Sequence, residues 1–147
     1  MRHLVLFLSL VFTWGIALAQ VQVPTRALLN FKHRYERATE VTWADTIKNQ
    51  LAVKFTHVDE QKIAFFDRNG NWLKTYIFLQ PDQLMYCIRD HILEGYPDYE
   101  TREAFAISSG VKLTYFAVLA RKESTTDIHS AQKVVSYSNK CEFISEE

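Results

Sequence analysis

Cys87 and His91 stand four residues apart in the stretch Tyr86-Cys87-Ile88-Arg89-Asp90-His91, the spacing that places two side chains one above the other on a helix. A thiolate beside an imidazole is a nucleophile–base pair, and the same two groups are half of a zinc site. Cys87 also borders the apolar stripe Leu84, Ile88 and Ile92, and a free cysteine is among the most buried residue types, so core packing is the preferred reading. The remaining histidines with chemistry to offer, His33, His57 and His129, are scattered. There is no nucleophile elbow, G-x-G-x-x-G, P-loop, H-E-x-x-H or C-x-x-C. Any acid–base pair chosen from 17 acidic residues would be arbitrary. The sequence therefore nominates no catalytic residue, no metal ligand and no cofactor.

The second kind of chemistry is recognition. In the run 72–79, Leu73, Thr75, Ile77 and Leu79 share one parity of a strand, while Trp72, Lys74, Tyr76 and Phe78 share the other. A helix covers one face of a sheet, and the aliphatic set suits that side. The opposite face then shows three large aromatics around a lysine. Aromatic side chains offer much contact area at small entropic cost and dominate protein interfaces. Trp72, Lys74, Tyr76 and Phe78 are thus the candidate partner-binding residues; the competing reading is that the sheet twist or a loop covers them, or that the parity is inverted.

Positioning such a face requires a folded domain in a definite compartment. Met1-Arg2-His3 is a short basic start, Leu4 to Ile16 is mostly apolar, and Ala17-Leu18-Ala19 has the small-x-small pattern of a signal-peptidase site. Export with cleavage between Ala19 and Gln20 is expected. The apolar run is short for a span of about 20 residues, so no stable membrane anchor is expected, and Gln20 rules out a lipid-modified cysteine at that cut. Without residues 1–19 the chain has 147 − 19 = 128 residues, and without Arg2 its 17 basic residues become 16 against 17 acidic. That length supports one real core, and the near-neutral charge argues against nucleic acid. Cys87 and Cys141 are the two cysteines. A disulfide needs Cα atoms about 4.4–6.8 Å apart, and with one cysteine on an expected helix and the other in an expected turn, the sequence leaves pairing open.

The elements read as α-β-β-β-β and then the same again. Ala27, Leu28, Phe31 and Tyr35 recur at helical spacing behind Thr25, a candidate N-cap. Strands follow at 40–44, 51–56, 61–66 and 72–79. Asn69-Gly70 marks a hairpin between the last two, with Asp67 able to bond the turn backbone. Pro81 suits the first position of a second helix, which Gly95 and Pro97 stop. Strands at 99–107, 111–120, 130–137 and 142–144 complete the second half. Phe31 and Tyr35 align with Ile92 and Tyr96 at an offset of 61, and the hairpin 66–73 aligns with 137–144 at an offset of 71; Cys141 takes the place of Gly70. The extra ten residues fall in the polar loop from Lys122 to Asp127. The expected units are 1–19 (signal peptide), 20–80 and 81–147. Coincidence between two ordinary α+β halves is the alternative to a repeat.

Phe31, Tyr35, Val41, Trp43, Phe66, Asp67, Gly70, Trp72, Pro81, Tyr96, Pro97 and Tyr99 fall, in order, on the motif positions of a known group. The chain resembles the exported PepSY-like, beta-lactamase-inhibitor-like proteins over residues 27–145. Glu36, Gln80 and Cys141 depart from that pattern. The resemblance implies an α+β fold of two tandem units, each one helix on a four-stranded antiparallel sheet, as in beta-lactamase inhibitory proteins, whose exposed sheet surface binds an enzyme. It supplies no catalytic residues. The expected function is a non-enzymatic, exported protein-binding module whose partner is another exported protein. The alternative is a sensing module holding a small apolar ligand in a cleft between the halves.

Overall fold

The computed structural model describes residues 21–46, 48–122 and 132–147. The expected signal peptide, its cleavage point, and the polar loop from residue 123 onward lie outside the described residues.

Helix α1 spans Thr25–Arg34 and helix α2 spans Tyr86–Gly95. Thr25 is not the N-cap expected of it: Pro24 occupies that position at φ −58°, ψ 140°, and no side chain caps the helix. The carbonyl of Pro24 accepts from the amides of Ala27 and Leu28 instead. Pro81 likewise does not open α2. It opens a separate 3-10 turn, Pro81–Gln83, in which the Gln83 side chain accepts from the Gln80 amide at 2.6 Å. Leu84 and Met85 then run extended, and the helix begins at Tyr86. The stripe Leu84, Ile88 and Ile92 is buried nonetheless.

Strands β1 (Thr39–Asp45), β2 (Leu51–His57), β3 (Glu60–Phe66), β4 (Trp72–Leu79), β5 (Tyr99–Ser109), β6 (Lys112–Arg121), β7 (Lys133–Ser138) and β8 (Phe143–Glu146) form one antiparallel sheet in sequence order. This corrects the expectation of two four-stranded sheets. β4 pairs with β5 from Thr75↔Ser108 to Leu79↔Ala104, so the division at residue 80 does not interrupt the ladder. Both helices lie on the same face. Ala27 and Phe31 pack on Leu51, Val53, Phe55, Ala64 and Phe66. Ile88 and Ile92 pack on Ala104, Ala117, Leu119, Val135 and Tyr137. Each fully buried large apolar side chain contributes about 1.5–3 kcal/mol over its exposed state.

The aligned positions carry matching geometry. Pro24 and Met85 precede the helices at φ −58°, ψ 140° and φ −53°, ψ 140°. Tyr35 and Tyr96 end them at φ −126°, ψ 60° and φ −133°, ψ 59°, each bonding back to the residue four before it. In the β3–β4 hairpin the Gly70 amide donates to the Asp67 carbonyl at 3.0 Å, and the Asn71 amide donates to Asp67 Oδ1 at 2.8 Å. In the β7–β8 hairpin the Cys141 amide donates to the Ser138 carbonyl at 3.0 Å, and the Glu142 amide to Ser138 Oγ at 3.2 Å. Gly70 and Cys141 both take positive φ, 81° and 64°.

The glycine and the cysteine solve one packing problem in two ways. A Cβ at Gly70 would lie 2.5 Å from the Ala27 amide nitrogen and 2.9 Å from the Arg26 carbonyl carbon, so the turn rests on the backbone of α1. The place of Arg26 is taken in α2 by Cys87, 61 residues on, and Cys87 is disulfide-bonded to Cys141 across a Cα–Cα distance of 6.0 Å. The core-packing reading of Cys87 is therefore wrong. Its side chain leaves the buried stripe and reaches the turn, and the residue remains exposed.

Replacing Gly70 by Ala should cost about 2–4 kcal/mol, from positive φ plus backbone overlap. Gly110→Ala, also at positive φ but in open space, should cost only about 1 kcal/mol. Denaturant midpoints of the two variants check this. Removing the disulfide, which closes a sequence separation of 54, should cost about 4 kcal/mol. Of the cysteine-free pairs, Cys87→Ala with Cys141→Gly should be about 1 kcal/mol more stable than with Cys141→Ala. Equal midpoints for those two pairs would remove the argument from backbone conformation.

Candidate functional site

The face of the sheet opposite the helices is built by alternation. Ala64 and Phe66 point to α1, so Ile63 and Phe65 point away from it. Thr75 is buried on the helix side, which sends Lys74 and Tyr76 to the other. On the central strands the small residues face the helix: Ala104, Ala106 and Ala117 are buried there, and Phe105, Ile107 and Phe116 project from the bare side. An antiparallel sheet with one solvated face ordinarily turns polar side chains outward. Here the larger apolar groups do so.

The strand register brings these groups together. Phe78 stands opposite Phe105, which stands opposite Phe116; Ile63, Tyr76 and Ile107 form the neighbouring row. The Phe105 and Phe116 rings stack with centroids 4.9 Å apart and planes 6° apart. Tyr76 lies 6.2 Å from Phe105 and 5.6 Å from Phe65. An aromatic band thus crosses β3 to β6, over the junction of the halves. Among the described residues no helix covers it. Phe78 is 46% exposed, and the other rings are half-buried against one another. Lys74 donates to the Tyr76 hydroxyl at 3.3 Å, and its ammonium lies 5.1 Å from the Tyr76 ring and 5.5 Å from that of Phe65.

Of the four nominated residues, the structure places Lys74, Tyr76 and Phe78 on this face and Trp72 on the other. The physical reason is a β-bulge. Phe66 pairs with Trp72, but Phe65 pairs with Lys74, so Leu73 is an extra residue and the parity inverts there. Trp72 packs against the α1 core, donates through Nε1 to Thr75 Oγ1 at 2.8 Å and carries the Arg34 guanidinium 3.9 Å over its ring. Phe65, Phe105 and Phe116 were not nominated from sequence. The signal was there, in the small–large alternation Ala104-Phe105-Ala106-Ile107 and Phe116-Ala117.

The polar groups elsewhere are structural in their contacts. With Cys87 in a disulfide, no thiolate is present beside His91, whose Nδ1 lies 2.8 Å from the Tyr137 hydroxyl. Tyr35 shares a hydrogen bond with Thr75, and burial pushes its hydroxyl up. Tyr96 donates to Glu146 Oε2 at 2.7 Å, while Lys133 pairs with Oε1 of the same carboxylate. Those two hydrogen bonds, that of Lys133 foremost, hold the Glu146 carboxyl below its ordinary value. Burial first, then the Glu146 hydrogen bond and charge, push Tyr96 up to about 12. No three His, Cys, Asp or Glu side chains converge as metal ligands among the described residues.

No family model and no curated protein matches the sequence. Solved structures do share the fold. A DUF2874 family protein from Bacteroides ovatus ATCC 8483 superposes with a TM-score of 0.73 at 16% identity, covering 86% of this chain and 88% of the other. A BLIP-like protein from Bacteroides fragilis NCTC 9343 gives 0.73 at 16%, covering 87% and 88%. A protein from Bacteroides eggerthii DSM 20697, provisionally described as periplasmic, gives 0.70 at 10%, covering 86% and 89%. The fold, an antiparallel sheet with two helices, is similar to that of these structures.

The Tyr96 phenol ionises at higher pH in the folded than in the unfolded chain, so its stabilising contribution is complete below pH 10.0 and is lost as pH rises towards about 12. Alkaline titration of phenolate absorbance should show a late-ionising tyrosine that Tyr96→Phe removes and Glu146→Gln brings down. An unchanged titration curve in both variants would remove the assignment.

Proposed function

We propose that this protein is an exported, non-enzymatic module that docks a partner protein on the bare face of its sheet and so restrains or modulates an envelope enzyme. The observation that carries the proposal is the aromatic band itself: Phe65, Tyr76, Phe78, Phe105 and Phe116 lie together on the side the helices leave uncovered. Contiguous exposed apolar surface on a monomer marks an interaction site. Ring contacts hold Phe65, Tyr76, Phe105 and Phe116 in place before binding, which lowers the entropy lost on association. Export is supported by the basic–apolar–small pattern of residues 1–19 and by the provisional periplasmic description of one structural neighbour. The PepSY-like assignment rests on the order of the motifs, and a duplicated α-β4 unit on the matching caps and turns of the two halves.

The reading as a binder of a small apolar ligand between the halves has less behind it. β4 and β5 are hydrogen-bonded, and the hollow near their junction, about 320 Å³, is lined by Asp59, Glu60, Gln61, Gln80 and Gln83 with Phe78 the one apolar group.

The test is affinity capture from envelope extract with the wild type, a Tyr76→Ser/Phe78→Ser variant and a Trp72→Ala variant. Loss of a central aromatic anchor should weaken capture about 30-fold, corresponding to about 2 kcal/mol. The thermal midpoint of the double variant should move little, as surface substitutions are usually worth about ±0.5 kcal/mol. Trp72→Ala, on the core side, should lower the midpoint and leave capture intact. Capture that survives the double variant but is lost with Trp72 would put the docking surface on the wrong face.

A further inference from the structure

The bare face is not uniform along its strands. Where β1 turns into β2, an open hollow of about 440 Å³ is lined by Lys48 and Lys74, the rings of Phe65 and Tyr76, and Asp45 and Gln50. Its side at the turn is pinned, since the Thr46 amide donates to the Gln50 carbonyl at 2.9 Å and the Gln50 amide to Thr46 Oγ1 at 3.2 Å. The Asp45 carboxylate is already taken by Arg68 at 2.8 Å. Neither Lys48 nor Lys74 has an ion-pair partner among the described residues. Of the three hydrogens on the Lys74 ammonium, one is engaged by the Tyr76 hydroxyl and the others are available.

Resting on the docking-face reading, we infer that this hollow receives an acidic segment of the partner polypeptide, a carboxylate flanked by an aromatic or large aliphatic side chain. The carboxylate pairs with Lys74 and Lys48, and the apolar group lies against Phe65 and Tyr76. The Lys74 ammonium sits at the margin of the aromatic band, against the Phe65 and Tyr76 rings, so a carboxylate there makes a charge-assisted contact beside an apolar one. The opposite end of the same strands carries Asp59 beside Phe78, while Glu60 there is paired with Lys62 at 2.9 Å. Asp59 repels an acidic group there, so the charge pattern also sets the direction in which the segment lies. Nucleic acid fits poorly, since phosphate tracks need clustered cations and the chain balances 17 basic with 17 acidic residues.

A displayed library of random short peptides, selected on the immobilised full chain, tests this without knowledge of the partner. Selected peptides should be enriched in Asp or Glu next to Phe, Tyr, Trp or Leu. A synthetic peptide of that sequence should bind the Lys74→Glu variant at least about tenfold more weakly and Asp59→Lys no more weakly than wild type. Lys74→Gln, which keeps much of the aliphatic stem, should give an intermediate loss, and added salt should weaken wild-type binding. Thermal midpoints of all variants show whether the fold is kept. Peptides that lack acidic residues, depend on Phe78 and ignore Lys74→Glu would overturn this inference while leaving the docking face standing. Binding indifferent to both positions, or no selected peptide at all, would overturn both.

Discussion

Five antiparallel residue pairs, Thr75↔Ser108 through Leu79↔Ala104, join the last strand of the first half to the first strand of the second. That ladder is continuous and both helices lie on one face, each over its own strands, so the opposite face runs unbroken from β3 to β6. Had the halves formed separate sheets, the aromatic groups of β4 and β5 would belong to different surfaces. The ladder makes Phe78 and Phe105 direct neighbours and extends the contact to Phe116.

The helix-bearing face is held differently in the two halves, at equivalent points. In the first, a glycine lets the hairpin backbone rest on α1, and Asn30 donates to the Gly70 carbonyl at 2.7 Å. In the second, a disulfide joins the helix to the turn, and Cys141 accepts a left-handed backbone that glycine would adopt with less strain. A close backbone approach and a covalent bond both fix where the helix sits. The same hairpins share a bulge, at Leu73 in β4 and at Ile144 in β8, which turns Trp72 and Phe143 towards the helix side. Phe143 meets the rings of Tyr137 and His91 there.

Fold and face divide the labour between small and large side chains. Ala104 and Ala117 pack beneath α2 and Ala106 is buried on the same side, while the larger Phe105, Ile107 and Phe116 stand on the other. Charge then differentiates a surface that is apolar at its centre. Among the described residues, Lys48 and Lys74 stand without ion pairs at the turn end, beside an Asp45 held by Arg68, and Asp59 stands without one at the end near the 3-10 turn, where Glu60 is held by Lys62.

Local signals determined much of this from the sequence alone. Alternation identified the strands, Asn69-Gly70 and Asp67 identified the hairpin, the stripe Leu84, Ile88 and Ile92 identified a buried face, and the offsets of 61 and 71 located the equivalent positions of the halves. These succeed because period, turn chemistry and capping act over a few residues. What only the tertiary structure decided depends on groups far apart in the chain. Cys87 and Cys141 meet across 54 residues because the turn closes over α2. Trp72 faces the core because one residue is added to β4 relative to β3, a mismatch that strand parity cannot register. The single sheet exists because β4 finds β5 after an intervening helix, and cross-strand pairing at that range is set by packing rather than by any local pattern.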